Sequence, residues 1–319
     1  MSNKTIAKIC LFVIFVGIAT AAAACKRILS GPDDRPDFDT ADSPYGTPEK
    51  VGVIESKDIK ESSGLAASRC NTGVLWTHND SGDGAFIYAL STSGRTLGTW
   101  EVTGAENNDW EDIATVKDKD GKCWLYIGEI GNNEGKRDRT LVYRVAEPAV
   151  TPDAKDSSRK SPLATSPARS VAIIYPDGAP NAETLMINPV TGKIYIVTKR
   201  MDGPATVYSA DADFASGSDA AARKVAELSV PSVPNGLFTG GDISPDGTRA
   251  ALCDYVAGYE LVLPAGSSDF DNIWSQKPTK FDIGDRKNGE AIAYSTDGRT
   301  LFSDSEGKDA PIFEMKRSD

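Results

Sequence analysis

A short phrase recurs five times along this chain. In it a small polar or acidic residue precedes two to four mostly apolar residues, and a turn ending in Gly follows. It reads Ser63-Gly64-Leu65-Ala66 with Asn71-Thr72-Gly73, then Glu111-Asp112-Ile113-Ala114 with Asp120-Gly121. It returns as Glu183-Thr184-Leu185-Met186 with Thr191-Gly192, as Asp242-Ile243-Ser244 with Asp246-Gly247, and as Glu290-Ala291-Ile292-Ala293 with Asp297-Gly298. Repeats at roughly 40–50 residues mark propellers or arrays, because one small sheet cannot bury its apolar faces alone. The phrase therefore constrains the fold, and its leading acids mark where chemistry could sit.

Between the phrases the chain reads as short strands separated by turn signals. The first unit predicts Ser63–Ser68, Val74–Thr77, Ala85–Leu90 and Arg95–Val102. The second predicts Glu111–Val116, Cys123–Ile130, Thr140–Val145 and Ser170–Tyr175, with the polar, Pro/Ser-rich stretch 147–169 inserted as a loop. The third and fourth units likewise supply four strands each. The last supplies three, Glu290–Ser295, Arg299–Asp304 and Pro311–Met315, and Lys50–Ser56 is free to serve as its fourth. An open ring would leave strand edges that invite association, so this closure is physically required. The expected fold is all-β: a propeller of five four-stranded blades, or six if the insertion hides strands.

In such a blade the first strand lies innermost. The Gly turns join first to second strands, so they share one face, and antiparallel connectivity gathers the residues leading into first strands and out of second strands at the other. That second face collects Glu106 to Asp112, Asn181 to Glu183, Thr239 to Asp242 and Asn288 to Glu290. It also collects His78 to Asp83, Glu129 to Asn133, Lys199-Arg200, Asp254 and Asp304 to Glu306. Ser63, Glu111, Glu183, Thr239 and Glu290 occupy comparable positions, with spacing that varies by a residue or two.

Crowded carboxylates repel, so either some protonate or a cation neutralises them. Oxygen-only donors suit a hard cation, Ca²⁺ first. The candidate ligands are Asn79, Glu111, Glu183 and Glu290, with Asp112 and Asp242 as alternates. The opposing expectation is that these acids cap blade ends and accept backbone amides from neighbouring blades. Asp80, Trp110, Glu129, Asn132, Lys199 and Arg200 are candidates for lining a ligand mouth. Lys199 and Arg200 could hold an anionic group or simply pair with nearby carboxylates. Trp76, Trp110 and Trp124 otherwise read as packing between blades. Among catalytic groups only His78, the sole histidine, and Glu111 stand out; no HExxH and no Gly-x-Ser-x-Gly occurs.

The N-terminus reads as an export signal over residues 1–24. Lys4 and Lys8 precede an apolar run from Ile9 to Ala24, too short for a membrane span of about 20 residues. Ala22-Ala23-Ala24-Cys25 resembles a lipoprotein signal in which Cys25 is lipidated, placing the protein outside the cytoplasm on a membrane anchor. Residues 25–48, rich in Pro, Asp, Ser and Gly, read as a solvated tether, and 49–319 as one domain. The net charge of −11 disfavours nucleic acid as a partner. Export permits disulfides, and Cys70 and Cys123 fall at the same end of adjacent units, so a bridge between them is expected.

Several phrases resemble exported bacterial β-propeller proteins of unassigned function. They are Glu61-Ser-Ser-Gly-Leu-Ala-Ala-Ser68, Trp76-Thr-His-Asn-Asp-Ser-Gly-Asp83, Asp109-Trp-Glu-Asp-Ile-Ala114, Tyr126-Ile-Gly-Glu-Ile-Gly-Asn132 and Asn181-Ala-Glu-Thr-Leu185. The resemblance covers residues 50–319 and extends more weakly to the SdiA-regulated propellers and to calcium-dependent lactonase and esterase-like propellers. That wider group implies a central metal held by Glu, Asn and Asp. Glu129 and Asn132 stand where the nearer group often has Asp, which alters the reach of any oxygen ligand. Two functions follow as expectations: a binding or scaffold module with an acidic, calcium-occupied mouth, or a metal-dependent hydrolase of a lactone, ester or phosphoester.

Overall fold

The computed structural model describes residues 42–232 and 234–318. The export signal, Cys25 and most of the tether lie outside the described residues. Five small sheets form a five-bladed β-propeller. Blade 1 contains Ser62–Ala67, Val74–Asn79, Phe86–Ser91 and Thr96–Glu101; blade 2 contains Trp110–Lys117, Cys123–Glu129, Thr140–Ala146 and Arg169–Ile174. Blade 3 contains Ala182–Ile187, Ile194–Arg200, Ala205–Ala210 and Arg223–Leu228; blade 4 contains Gly240–Ile243, Arg249–Cys253, Ala257–Val262 and Thr279–Asp282. Blade 5 contains Gly289–Tyr294, Thr300–Ser305 and Pro311–Lys316, and Glu49–Val53 completes it from the N-terminal side, with Lys50 opposite Phe313 and Val53 opposite Pro311. The first strands of neighbouring blades pack against one another around the ring.

The Gly of the recurring phrase has a conformational cause. Gly73, Gly121, Gly192, Gly247 and Gly298 all have φ between 69° and 80°, a region other residues enter at a cost. A β-carbon on Gly73 or Gly192 would meet nothing within 4 Å, so the backbone angle, not crowding, demands glycine there.

The insertion after Glu147 holds no sixth blade. It carries a short 3-10 turn at Ala154–Asp156 and a two-residue strand, Leu163–Ala164, which runs parallel to the outer strand of blade 1 with Leu163 opposite Trp100. Ala220–Ala221 covers the outer edge of blade 2 in the same way. Both additions occupy edges that would otherwise present unpaired backbone groups.

The core lies between blades. Ser62–Ala67, Val74–Asn79 and Ala182–Ile187 are buried at every residue, because each inner strand has a neighbouring blade on both faces. Trp76, Trp100, Trp110 and Ile127 fill the seam between blades 1 and 2. Tyr126, Ile173, Leu185 and Phe214 fill that between blades 2 and 3. Cys70 and Cys123 form a disulfide across the first of these seams, Cα–Cα 6.0 Å. Cys253 is free and buried.

The packed domain begins before Glu49. Tyr45, placed in the tether by composition, is buried; its hydroxyl donates to Glu260 Oε1 at 2.6 Å, and Arg317 Nη1 lies 2.6 Å from Glu260 Oε2. An aromatic ring with a polar tip that reaches a buried carboxylate outweighs the loop-like residues around it.

Candidate functional site

Four first strands begin with the same local defect. In blade 2, Trp110 pairs with Glu129 and Asp112 with Gly128, so Glu111 has no partner. The same one-residue bulge leaves Ser63, Glu183 and Glu290 unpaired in blades 1, 3 and 5. Bulges re-aim side chains next to functional sites. Blade 4 has none: Gly240, Gly241 and Asp242 pair in sequence with Cys253, Leu252 and Ala251. Thr239 precedes that strand, and its hydroxyl donates to the Gly289 carbonyl at 3.0 Å. The variable spacing seen in the sequence is thus one bulge, present in four blades and absent from the fourth.

Glu111, Glu183 and Glu290, one from each of three bulges, are all buried, and their charges act on one another. Burial drives Glu111 well above the usual carboxylate range, reinforced by Glu183, Asp80 and Asp109. Burial, then Glu183, raises Glu290 to about 9, and burial raises Glu183 to about 7 against the pull of Lys199. Lys199 Nζ contacts Glu183 Oε1 at 2.6 Å and Oε2 at 2.5 Å. Burial alone would depress the Lys199 ammonium; Glu183, Tyr255 and Glu290 more than offset it and hold the ammonium charged.

Among the described residues, Asp80, Asp109 and Glu111 form a group of acids, each offering one carboxylate oxygen with all three within 4.8 Å of one another. Burial pushes Asp80 up to about 6 and also raises Asp109. Glu111 Oε1 is buried and has no hydrogen-bond partner among the described residues. Gly131 makes the space: a β-carbon there would stand 2.2 Å from Glu111 Oε1 and 2.4 Å from Asp109 Cγ. Carboxylate oxygens gathered this closely suit a hard divalent cation, which takes oxygen ligands at about 2.0–2.6 Å.

Other candidates are committed elsewhere. Asn79, a proposed ligand, accepts from the Lys60 and Glu61 amides at 2.9 and 3.1 Å and donates to the Asp58 carbonyl at 2.9 Å. Its donors and acceptor are spent on the loop before blade 1 and on Asp83, so it is not available to a metal. Asp112 and Asp242 behave as the opposing expectation requires. Asp112 accepts from its neighbour Ile113 at 2.8 Å and from Leu185 of blade 3 at 2.9 Å. Asp242 accepts from Ile243 at 2.8 Å and from Tyr294 of blade 5 at 2.9 Å. They clasp blade to blade.

His78 is fully buried, edge-on to Trp110 at 5.6 Å, and Nδ1–H donates to the Asn79 carbonyl at 3.0 Å. Burial lowers it to about 4, so it stays neutral inside the seam and has no solvent path for proton transfer. Trp110 does not line the mouth: it has no exposed surface, and its indole donates to the Glu106 carbonyl at 3.0 Å. Glu129 is buried and paired with Arg137 at 2.5 Å. Asn132 stitches blade 2 to blade 3, its amide donating to Asn181 Oδ1 and its Nδ2 to the Ala179 carbonyl, both at 2.7 Å. Arg200 points away to Asp202 at 3.0 Å. Asp109 and Glu306, which connectivity places on this face without a role, join the site, and Tyr255 is added beside Lys199. Tyr255 follows the second strand of blade 4, a positional signal that connectivity also supplies.

At the opposite face the ring is crossed. Arg69, from the Gly turn of blade 1, lies 3.5 Å from Asp242 of blade 4 and donates to the Ser295 carbonyl of blade 5 at 3.2 Å. The acidic mouth and this cross-tie therefore sit at opposite ends of the inner strands.

No family model and no curated protein matches the chain. Among solved structures it is similar to a gluconolactonase from Xanthomonas campestris, at 12% identity and a TM-score of 0.44, covering 85% of this chain and 89% of that one. It is similar to a second protein provisionally assigned to the gluconolactonases, at 10% identity and a TM-score of 0.45, over 89% and 97% of the two chains. A chain of the nidogen/laminin complex is similar at 14% identity and a TM-score of 0.39, over 77% and 73%. The five-bladed propeller itself rests on the sheet topology of this chain.

Proposed function

We propose that this protein is an exported, lipid-anchored binding module whose acidic mouth holds a divalent cation, Ca²⁺ first, between Asp80, Asp109 and Glu111. The observation that carries the reading is Glu111 Oε1, buried without a donor and grouped with two further carboxylate oxygens within 4.8 Å. A carboxyl group buried among other acids is ionised only at a cost, and a bound cation removes that cost. The ligand is captured on the face where these groups open, and Lys199 and Tyr255 lie beside them.

Isothermal titration with Ca²⁺ tests the cation directly. Wild type binds and Glu111→Gln loses at least about tenfold in affinity, or about 1.4 kcal/mol. A wild type that neither binds Ca²⁺ nor changes its melting temperature with chelator sinks the reading.

One observation favours a second reading, a metal-dependent hydrolase: Lys199 is held on both oxygens of Glu183 beside the same carboxylates. In that reading a bound cation polarises a substrate oxygen, while Glu183 and Lys199 hold and move a proton. Turnover of lactones or aryl esters that vanishes in Lys199→Met, with Ca²⁺ binding retained, would decide for the hydrolase. Ligand capture without turnover decides for the binding module.

A further inference from the structure

The segment between the second and third strands of blade 2 departs from the acidity of its face. It carries Lys136, Arg137 and Arg139 against Glu134 and Asp138. Beside it opens a cleft of about 560 Å³ lined by Asn108, Glu129, Arg137, Arg139, Thr140 and Leu141. Clefts of about 300–1,000 Å³ suit small molecules.

The one carboxylate in the lining is already neutralised. Glu129 is buried, its Oε1 lies 2.5 Å from Arg137 Nη1 as an ion pair without hydrogen-bond geometry, and its Oε2 accepts from the Asn108 amide at 3.0 Å. Arg139 is half-exposed, and among the described residues its guanidinium makes a single Nε approach to Asp138 Oδ1 at 3.4 Å. That leaves its terminal nitrogens for a ligand. A guanidinium fork matches the two oxygens of a carboxylate or phosphate. Asn108 precedes Asp109, so the cleft adjoins the three-carboxylate group along one strand-leading segment.

We infer that this cleft is an oxyanion subsite, taking the carboxylate or phosphate of a monosaccharide-sized molecule through Arg139 and Arg137 while the molecule's polar remainder extends toward the cation. The inference deepens the cation-site reading and rests on it only for the far end of the ligand. Arg137 neutralises buried Glu129, so it is a poor position to vary; Arg139 is exposed and can be changed without disturbing the fold.

The test titrates glucose 6-phosphate, glucuronate and glucose into the protein by calorimetry, with and without Ca²⁺. At least one of the two charged sugars binds about tenfold or more tighter than glucose, and Arg139→Ala loses about tenfold of that affinity with melting temperature and Ca²⁺ binding unchanged. Comparison of the two charged sugars separates phosphate from carboxylate preference. Charged sugars that bind no better than glucose, or an Arg139→Ala variant that binds like wild type, overturn the subsite. Ca²⁺ binding without oxyanion binding refutes the cleft and leaves the cation reading standing. Arg139-dependent oxyanion binding in a protein that takes no Ca²⁺ does the reverse.

Discussion

Blades 2 and 4 use the same residue for the same task and differ at the residue beside it. Asp112 and Asp242 each accept the amide of the following isoleucine and one amide of the next blade. Beside Asp112, a bulge ejects Glu111 from the pairing; beside Asp242 the pairing is regular and the neighbour is Gly241. A β-carbon on Gly241 would stand 2.9 Å from the Ala251 backbone carbonyl oxygen, so blade 4 cannot take a side chain there without shifting its backbone. The difference separates two kinds of acid. Clasp acids satisfy backbone donors and hold the ring. Bulge acids accept no amide from a neighbouring blade: Glu183 is held by Lys199, and Glu111 Oε1 has no hydrogen-bond partner among the described residues.

The largest effect should come from the clasps. Asp112→Ala and Asp242→Ala each strand two amides, at about 1–3 kcal/mol per amide, so each variant loses about 4 kcal/mol in urea unfolding. Comparable losses confirm a shared role; a near-neutral Asp242→Ala would break the equivalence of the two blades.

The bulge acids should reveal themselves through pH. Glu290 at about 9 keeps its proton in the folded state after the unfolded chain has released it near the ordinary Glu value of about 4.3. Between those values the folded state binds more protons, so this group's contribution to stability falls as pH rises, by at most about 1.4 kcal/mol per unit. Asp304, raised by burial to about 7, adds to the lower part of that range. Melting curves taken with chelator should therefore decline from pH 7 to 9, and Glu290→Gln should flatten that limb. An identical decline in Glu290→Gln would remove Glu290 from the account.

A smaller effect on stability, but a selective one on binding, is expected from glycine. Gly131→Ala crowds Glu111 and Asp109 and costs about 1 kcal/mol, with Ca²⁺ affinity down about tenfold. Gly241→Ala crowds blade 4 at a similar cost and leaves Ca²⁺ affinity intact. Equal calcium affinities in the two variants would show that the space at Gly131 does not serve the cation.

Much of this was legible before any coordinates. The Gly turns, the four-strand units and the missing strand of the last unit announced a closed five-bladed ring. Connectivity then placed Glu111, Glu183, Glu290, Asp80 and Lys199 at one face. The finer assignments were not legible for particular reasons. His78 and Trp110 sit among acids in the sequence, yet both turn into the seam between blades 1 and 2, where each finds a backbone carbonyl. Asn79 looked like a ligand because amide oxygens ligate metals; the groups that donate to its oxygen, the amides of Lys60 and Glu61, lie in a loop with no periodic signal. Asp109 was placed on the right face but not among the ligands, because it stands outside the recurring phrase.

The order of residues determined the blade count, the closure by Glu49–Val53 and the face on which carboxylates gather, because turn chemistry and strand alternation are local properties of the chain. Only the tertiary structure decided which acids clasp and which face the mouth. That choice turns on a single unpaired residue at the head of each inner strand, and pairing register is set by hydrogen bonds to a neighbouring strand and a neighbouring blade.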